Sequence, residues 1–414
     1  MPLCSQTAML SHIHIAMLRT TPVRIASLLF LLSIVSPATA DDTPSRISLY
    51  GRNYAGRVLT ANEARSSNWY MSYDVAVGFS TRRDSSVYAY KYGYPTWGVG
   101  IAVSRFSDLQ FTSPSFMPDV YTVYASFHRQ LVQRGRVTWG YNWETGITSS
   151  PSYYDPVGNP DNLAQSSFIM AYFGGGFYGT YALGKQWQLG TELTYRHHSN
   201  GKLSLPNTGI DIIGASIFVR YALSEPEAPT YTKEHFAPFK RHMMVHLAVG
   251  GGVHSCDAEW IAYNRMVHRP EDKQSTFTHY PKLTLVADML YRYSEKHATG
   301  IGLDLTCSTN MRQLEAAERI IYGDQRVNEG PGYSPLSVGV GIVQEFFWKN
   351  LAGYLSVGVY PYLHRGITEN YGLYYQKAGA RYYFPDWHNT FVGLAIKAND
   401  FVAEFFEFSI GKAF

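Results

Sequence analysis

The sequence predicts an all-β chain closed into a transmembrane antiparallel β-barrel of about sixteen strands, with two tandem eight-stranded barrels as the alternative. Three observations carry this expectation. Apolar and polar residues alternate with period two through most of the chain. No segment beyond the first forty residues has the uncharged apolar run, roughly 20 residues long, that a membrane helix needs. The composition is rich in aromatics and poor in charge, with 33 Tyr and only 16% charged residues, where an ordinary soluble domain carries about 25%. Composition alone leaves a secreted β-sandwich or propeller open. The alternation favours the barrel, whose strands each need only about 10 residues. A formal net charge of +3 is near neutral for this size and selects no class of partner.

Residues 1–40 read as an export signal. Arg19 and Arg24 supply positive charge, Ile25 to Val35 a short apolar stretch, and Ala38-Thr39-Ala40 a small-x-small cleavage pattern before Asp41. Nothing before Met17 is needed by such a signal, so the sequence allows a start at Met9 or Met17. Strands are expected near 45–59, 69–80, 88–105, 119–133, 136–150, 166–182, 186–199 and 209–222. A second set is expected near 242–256, 278–293, 297–308, 334–347, 351–364, 372–385, 389–397 and 401–414. Long connections (106–118, 151–165, 200–208, 257–277, 309–333) alternate with short ones such as Gln133-Arg134-Gly135 and Gly184-Lys185. Bacterial barrels have long extracellular loops and short periplasmic turns, so the alternation gives each turn a side. It puts the carboxyl end in the periplasm, where Phe414 closes an alternating strand.

The exception is the long connection 223–241, which divides the chain into a first half, 41–222, and a second, 242–414. The halves look like repeats. Gly179 to Trp187 reads GTYALGKQW and Gly379 to Trp387 reads GARYYFPDW, an offset of 200 that sets Lys397 and Asn399 against His197 and Ser199. On that alignment only the first half keeps the chemistry. Cys256 and Cys307 are the cysteines remaining after the signal, both expected at extracellular strand ends, and one disulfide between them is the expectation.

The distinctive chemistry lies in Arg196-His197-His198-Ser199-Asn200-Gly201, followed by Leu205-Pro206-Asn207-Thr208-Gly209-Ile210-Asp211. In the strand that enters it, Trp187, Leu189, Leu193 and Tyr195 share one face, and His197 and Ser199 continue that apolar series while His198 points inward. In the next strand Asp211 starts the series Ile213, Ala215, Ile217, Val219 and Tyr221. Three polar residues therefore converge on the face turned to lipid, a costly setting for polar groups without partners. Residues two apart on a strand lie about 7 Å apart at Cα, a gap side chains can bridge. An imidazole makes a serine nucleophilic by removing its proton, and a carboxylate orients the imidazole. Asn200 or neighbouring backbone N–H groups are candidates to stabilise the oxyanion. Spacing alone leaves open a strand end at the membrane interface, where the same residues simply meet water and headgroups.

The pattern H-x-S-N-G followed by P-N-x-G-x-acid closely resembles the lipid A 3-O-deacylase family, the PagL type of outer-membrane esterase. The resemblance covers the first half, about residues 45–222, and is specific over 197–211. It implies that Ser199, His197 and Asp211 are the nucleophile, base and acid, with Asn200, beside Gly201, stabilising the oxyanion. It implies hydrolysis of the ester-linked acyl chain at the 3-position of lipid A through an acyl-enzyme, with no metal or cofactor. The partner would be lipid A, or lipopolysaccharide, of the outer leaflet. One departure is that the acid is Asp where well-known members carry Glu, a reach shorter by one methylene. The other is the second half, which the small members lack, and a single sixteen-stranded barrel is the favoured way to accommodate it. A porin or transport barrel, or an outer-membrane phospholipase, are the competing functions.

Overall fold

The computed structural model describes residues 47–59, 68–106, 109, 115–225, 236–274, 276–370 and 372–414. The expected export signal and the middle of the 223–241 connection lie outside them. Among the described residues sixteen antiparallel strands form, but they close as two eight-stranded barrels rather than one. The first comprises β1 (Ile47–Val58), β2 (Trp69–Ser80), β3 (Thr96–Arg105), β4 (Val120–Arg134), β5 (Val137–Ser149), β6 (Ile169–Ala182), β7 (Trp187–Ser199) and β8 (Ile210–Ala222). The second comprises β9 (His242–His254), β10 (Tyr280–Arg292), β11 (His297–Ser308), β12 (Leu336–Trp348), β13 (Leu351–Tyr362), β14 (Tyr374–Phe384), β15 (Thr390–Asn399) and β16 (Val402–Ala413). Within each, neighbours in sequence pair, and the last strand returns to the first: β8 to β1 and β16 to β9. Both closures leave no open edge. The long connection between β8 and β9 is where one barrel ends and the next begins.

Strand alternation explains both faces. Outward positions are apolar and exposed, as in Trp69, Met71, Tyr73 and Val75 of β2 or Leu283 and Leu285 of β10. An apolar surface this extensive marks a membrane-facing wall. Inward positions are polar. Eight strands leave an interior just wide enough for side chains to fill, and here they meet across it. Arg52 reaches Glu144 at 2.5 Å and Asp74 at 3.3 Å, and Arg196 reaches Asp74 at 2.6 Å. In the second barrel Arg381 bridges Asp288 and Glu345 at 2.8 and 2.7 Å, while Lys377 and Lys397 each approach Asp304 at 2.6 Å. A transport reading needs an open lumen, and paired charges occupy this one.

Two local departures from the sequence expectation have simple causes. The strand expected from residue 88 begins only at Thr96, because Val87–Lys91 forms a short helix, α1. Ser86 caps it by accepting the Ala89 N–H, and the Ser86 N–H is itself donated to Asp84. Long connections at the opposite end hold helices rather than open loops: α2 (Asp257–Trp260), α3 (Met311–Tyr322) and α4 (Asp324–Asn328).

The barrels touch at both ends. At the end carrying the short turns, Trp348 packs on Trp97 with ring centroids 5.5 Å apart, and Lys349 pairs with Asp84 at 2.9 Å. At the other end Ser255 donates its N–H to the Lys202 carbonyl at 2.9 Å.

Candidate active site

Pairing of β7 with β8 sets His197 directly opposite Asp211. Both occupy the outward parity, as the sequence requires, and the His197 Nδ1–H donates to Asp211 Oδ1 at 2.7 Å. The pair is neither sealed nor open, with side chains 31% and 22% exposed. Tyr195, two residues earlier on the same face, donates its hydroxyl to the same carboxylate oxygen. The imidazole is thereby held through Nδ1, which leaves Nε2 as its working atom. The loop after β7 lies against the ring. Gly209, at φ +74°, comes so close that a Cβ there would sit 3.0 Å from His197 Cε1, which is the reason for a glycine at this place.

Ser199 shares the parity of His197 but is only 7% exposed. Its hydroxyl accepts two hydrogen bonds, from Asn207 Nδ2 at 2.9 Å and from the Gly201 N–H at 3.1 Å. With both acceptor positions engaged, its own O–H remains to be donated. No hydrogen bond joins Ser199 to His197 in this structure. The geometry thus unites His197 with Asp211 and Ser199 with Asn207 and Gly201, on one face at one end of the barrel.

Asn200, the expected oxyanion donor, has its side chain turned to the loop. Its side-chain amide donates to Ser166 Oγ and to the Ser204 carbonyl, both at 3.0 Å, and so ties down the loop. Its backbone N–H donates to Asn207 Oδ1 at 3.3 Å, which turns the Asn207 Nδ2 toward Ser199. Asn207 was in the motif but had no role in the sequence reading, because a loop offers no periodicity from which to infer direction. Tyr195 was read only as part of the apolar face. His198 points inward as expected, accepting or donating at Nδ1 with Thr148 Oγ1 at 2.9 Å and packing on Tyr172.

The expected disulfide is absent. Cys256 and Cys307 are both free, Cys256 buried at the start of α2 and Cys307 exposed on β11. Cys307 follows Ile301 and Leu303 on the outward face, whereas Cys256 packs inside a cluster with Ala258, Ala262 and Leu314. Cys256 thus lies past the end of β9 among helix residues while Cys307 is on the outer face of β11, and no bond joins them.

The offset-200 comparison also needs correction. Gly179 and Gly379 do fall in corresponding hairpins, β6–β7 and β14–β15. However, Lys397 and Asn399 point inward, Lys397 to Asp304 at 2.6 Å and Asn399 to Glu404 at 2.8 Å. A one-residue slip moves every side chain to the other face, so these two are not the structural counterparts of His197 and Ser199. The outward positions of β15 are Thr390, Val392, Leu394, Ile396 and Ala398, without a histidine.

Residues 54–220 match the family model described as Lipid A 3-O-deacylase (PagL). Residues 241–414 match the one described as Acyloxyacyl hydrolase, C-terminal domain. Among solved structures the chain is similar to Neisserial surface protein A (NspA) at 14% identity and TM-score 0.31, over 44% of this chain and all of that one. It is similar to the outer membrane enzyme PagL at 16% identity and TM-score 0.28, over 42% of this chain and 98% of that one. A mutant porin of Rh. blastica aligns at 12% identity and TM-score 0.18, over 89% of this chain and all of the porin. At such scores the structural likenesses decide nothing. No curated protein matches the chain.

Proposed function

We propose that this chain, which belongs to the lipid A 3-O-deacylase (PagL) family and is accordingly a lipid A deacylase of the outer membrane, removes the acyl chain esterified at the 3-position by a Ser199–His197–Asp211 mechanism. The observation that carries the mechanism is the 2.7 Å bond from His197 Nδ1–H to Asp211 on the lipid-facing side of the wall, one strand repeat from Ser199. A substrate whose acyl chains lie in the bilayer meets the reacting groups without leaving it.

In this mechanism Ser199 Oγ attacks the ester carbonyl carbon while His197 Nε2 takes the hydroxyl proton. Charge on the carbonyl oxygen is met by the Gly201 N–H and Asn207 Nδ2, the two donors that converge on Ser199 Oγ. The C–O bond to the sugar then breaks, and His197 returns its proton to the departing sugar hydroxyl. Water, deprotonated by the same imidazole, attacks the acyl-Ser199 carbonyl and releases a free fatty acid. Asp211 keeps the tautomer and stabilises the imidazolium without itself reacting. The open gap between Ser199 and His197 suits a resting enzyme, since catalytic hydrogen bonds are often long before substrate binds and tighten in the Michaelis complex. The test uses the purified full chain with lipid A. Ser199→Ala and His197→Ala should each abolish fatty-acid release while both barrels still close, and release by Ser199→Ala at the wild-type rate would refute the mechanism.

A further inference from the structure

The first barrel alone accounts for every reacting group, which raises the question of what the second barrel does for the reaction. Besides a bond from Asn264 to the Tyr154 hydroxyl at 3.5 Å, several contacts between the barrels at the site end fall on one short segment, Gly201–Leu203. Lys202 is 3% exposed, and its ammonium lies 2.7 Å from Asp257 and 3.9 Å from Glu369, both in the second barrel. Its carbonyl accepts the Ser255 N–H, and the Leu203 carbonyl accepts the Ser255 hydroxyl, each at 2.9 Å. Gly201 lies against Phe406 of β16 so tightly that a Cβ on it would come within 2.3 Å of that ring.

The segment is also held in an unusual backbone. Gly201 and Lys202 are consecutive left-handed residues, at φ +64° and +67°. A lysine gains nothing locally from that conformation, and a non-glycine residue there persists only where surrounding contacts over-determine it. The loop's own bonds, such as the Leu203 N–H to the Asn200 carbonyl at 3.2 Å, hold part of it, and the second barrel adds the contacts to Lys202 itself. Burial alone would lower the Lys202 pKa, but Asp257 and then Glu369 outweigh it and raise it. The Gly201 N–H, one residue away, is a donor to Ser199 Oγ.

We infer that the second barrel is a positioning element for the reaction, and that Lys202, gripped by Asp257 and Glu369, fixes the Gly201 N–H at the nucleophile. Lys202 is a positioning residue; it touches no reacting atom. The inference rests on the hydrolase reading above and adds to it a reason for the second half of the chain. Because the held donor faces charge that develops during reaction, loosening it should lower kcat and leave KM nearly unchanged.

The experiment measures kcat and KM for lipid A on the full chain, with closure of the barrels followed by heat-modifiable migration. Lys202→Met should lower kcat by about 10- to 100-fold, the scale of a donor displaced by about 1 Å, with KM within about twofold. Lys202→Arg, which keeps the charge, should recover most of the loss. A Lys202→Met enzyme with wild-type kcat would overturn the inference, and so would a loss expressed only in KM. If Lys202→Met does not close its barrels, Asp257→Asn and Glu369→Gln carry the test, with a kcat loss expected in each and unchanged kcat in both overturning it. Ser199→Ala separates the two readings. If it is inactive while Lys202→Met is fully active, positioning fails alone; if it is itself active, the hydrolase reading fails.

Discussion

Replacing Asp211 by Asn perturbs one interaction and leaves the rest of the site in place. The amide oxygen can still accept the His197 Nδ1–H, so ring orientation survives, but the negative charge that stabilises the imidazolium is lost. Two unit charges about 4 Å apart interact by about 4 kcal/mol at an effective dielectric of 20. The pair is 2.7 Å apart between Nδ1 and Oδ1, and its side chains are 31% and 22% exposed, so solvent screening brings the expected loss to about 2–3 kcal/mol. At about 1.4 kcal/mol per decade this is a fall in kcat of about 30- to 150-fold. That is well short of the roughly 10⁴ lost from a buried triad acid. The assay is initial-rate fatty-acid release from lipid A at saturating substrate, with Asp211→Glu as the charge-preserving control. Asp211→Asn turning over at the wild-type rate would refute the argument that this carboxylate supports His197. A loss as complete as that of Ser199→Ala would show that Asp211 does more than stabilise charge.

His198→Ala should lower barrel stability by about 1–3 kcal/mol, because it strips the Thr148 hydroxyl of a buried partner, while the folded enzyme keeps its turnover; chemical denaturation paired with kinetics separates the two. Asn207→Ala should reduce kcat by about 10²–10³ with KM little changed if its Nδ2 serves the oxyanion, and steady-state kinetics read this directly.

What could be read from residues alone followed the periodicity. Because side chains alternate across a strand, the outward setting of His197 and Asp211 and the inward setting of His198 are legible in the sequence. The closure is not. Alternation is the same whether β8 pairs with β9 or returns to β1, and only the length of the 223–241 connection signalled a boundary. The cysteine pairing failed because Cys256 lies past the end of β9, where strand parity no longer sets a side chain's direction, while Cys307 continues an outward series on β11. Lys397 was misaligned because matching Gly and aromatic residues across hairpins tolerates a one-residue slip that the fold does not. Loop residues were the hardest. A lysine after a strand reads as solvated, and nothing in its sequence neighbourhood marks Lys202 as buried between two carboxylates of another barrel. That the Asn207 amide, and not that of Asn200, faces Ser199 could not be foreseen, because it depends on how the loop folds back.

The central claim is that Ser199, on the lipid-facing wall of the first barrel, cleaves one acyl ester of lipid A. Mass spectrometry of lipid A from cells producing the wild-type chain or Ser199→Ala, at matched levels in the outer membrane, tests it most directly. The account requires wild-type cells to lose the mass of a single acyl chain from the 3-position, with the Ser199→Ala lipid A indistinguishable from that of cells without the protein. Unchanged lipid A in both, or the same acyl loss with Ser199→Ala, would contradict it.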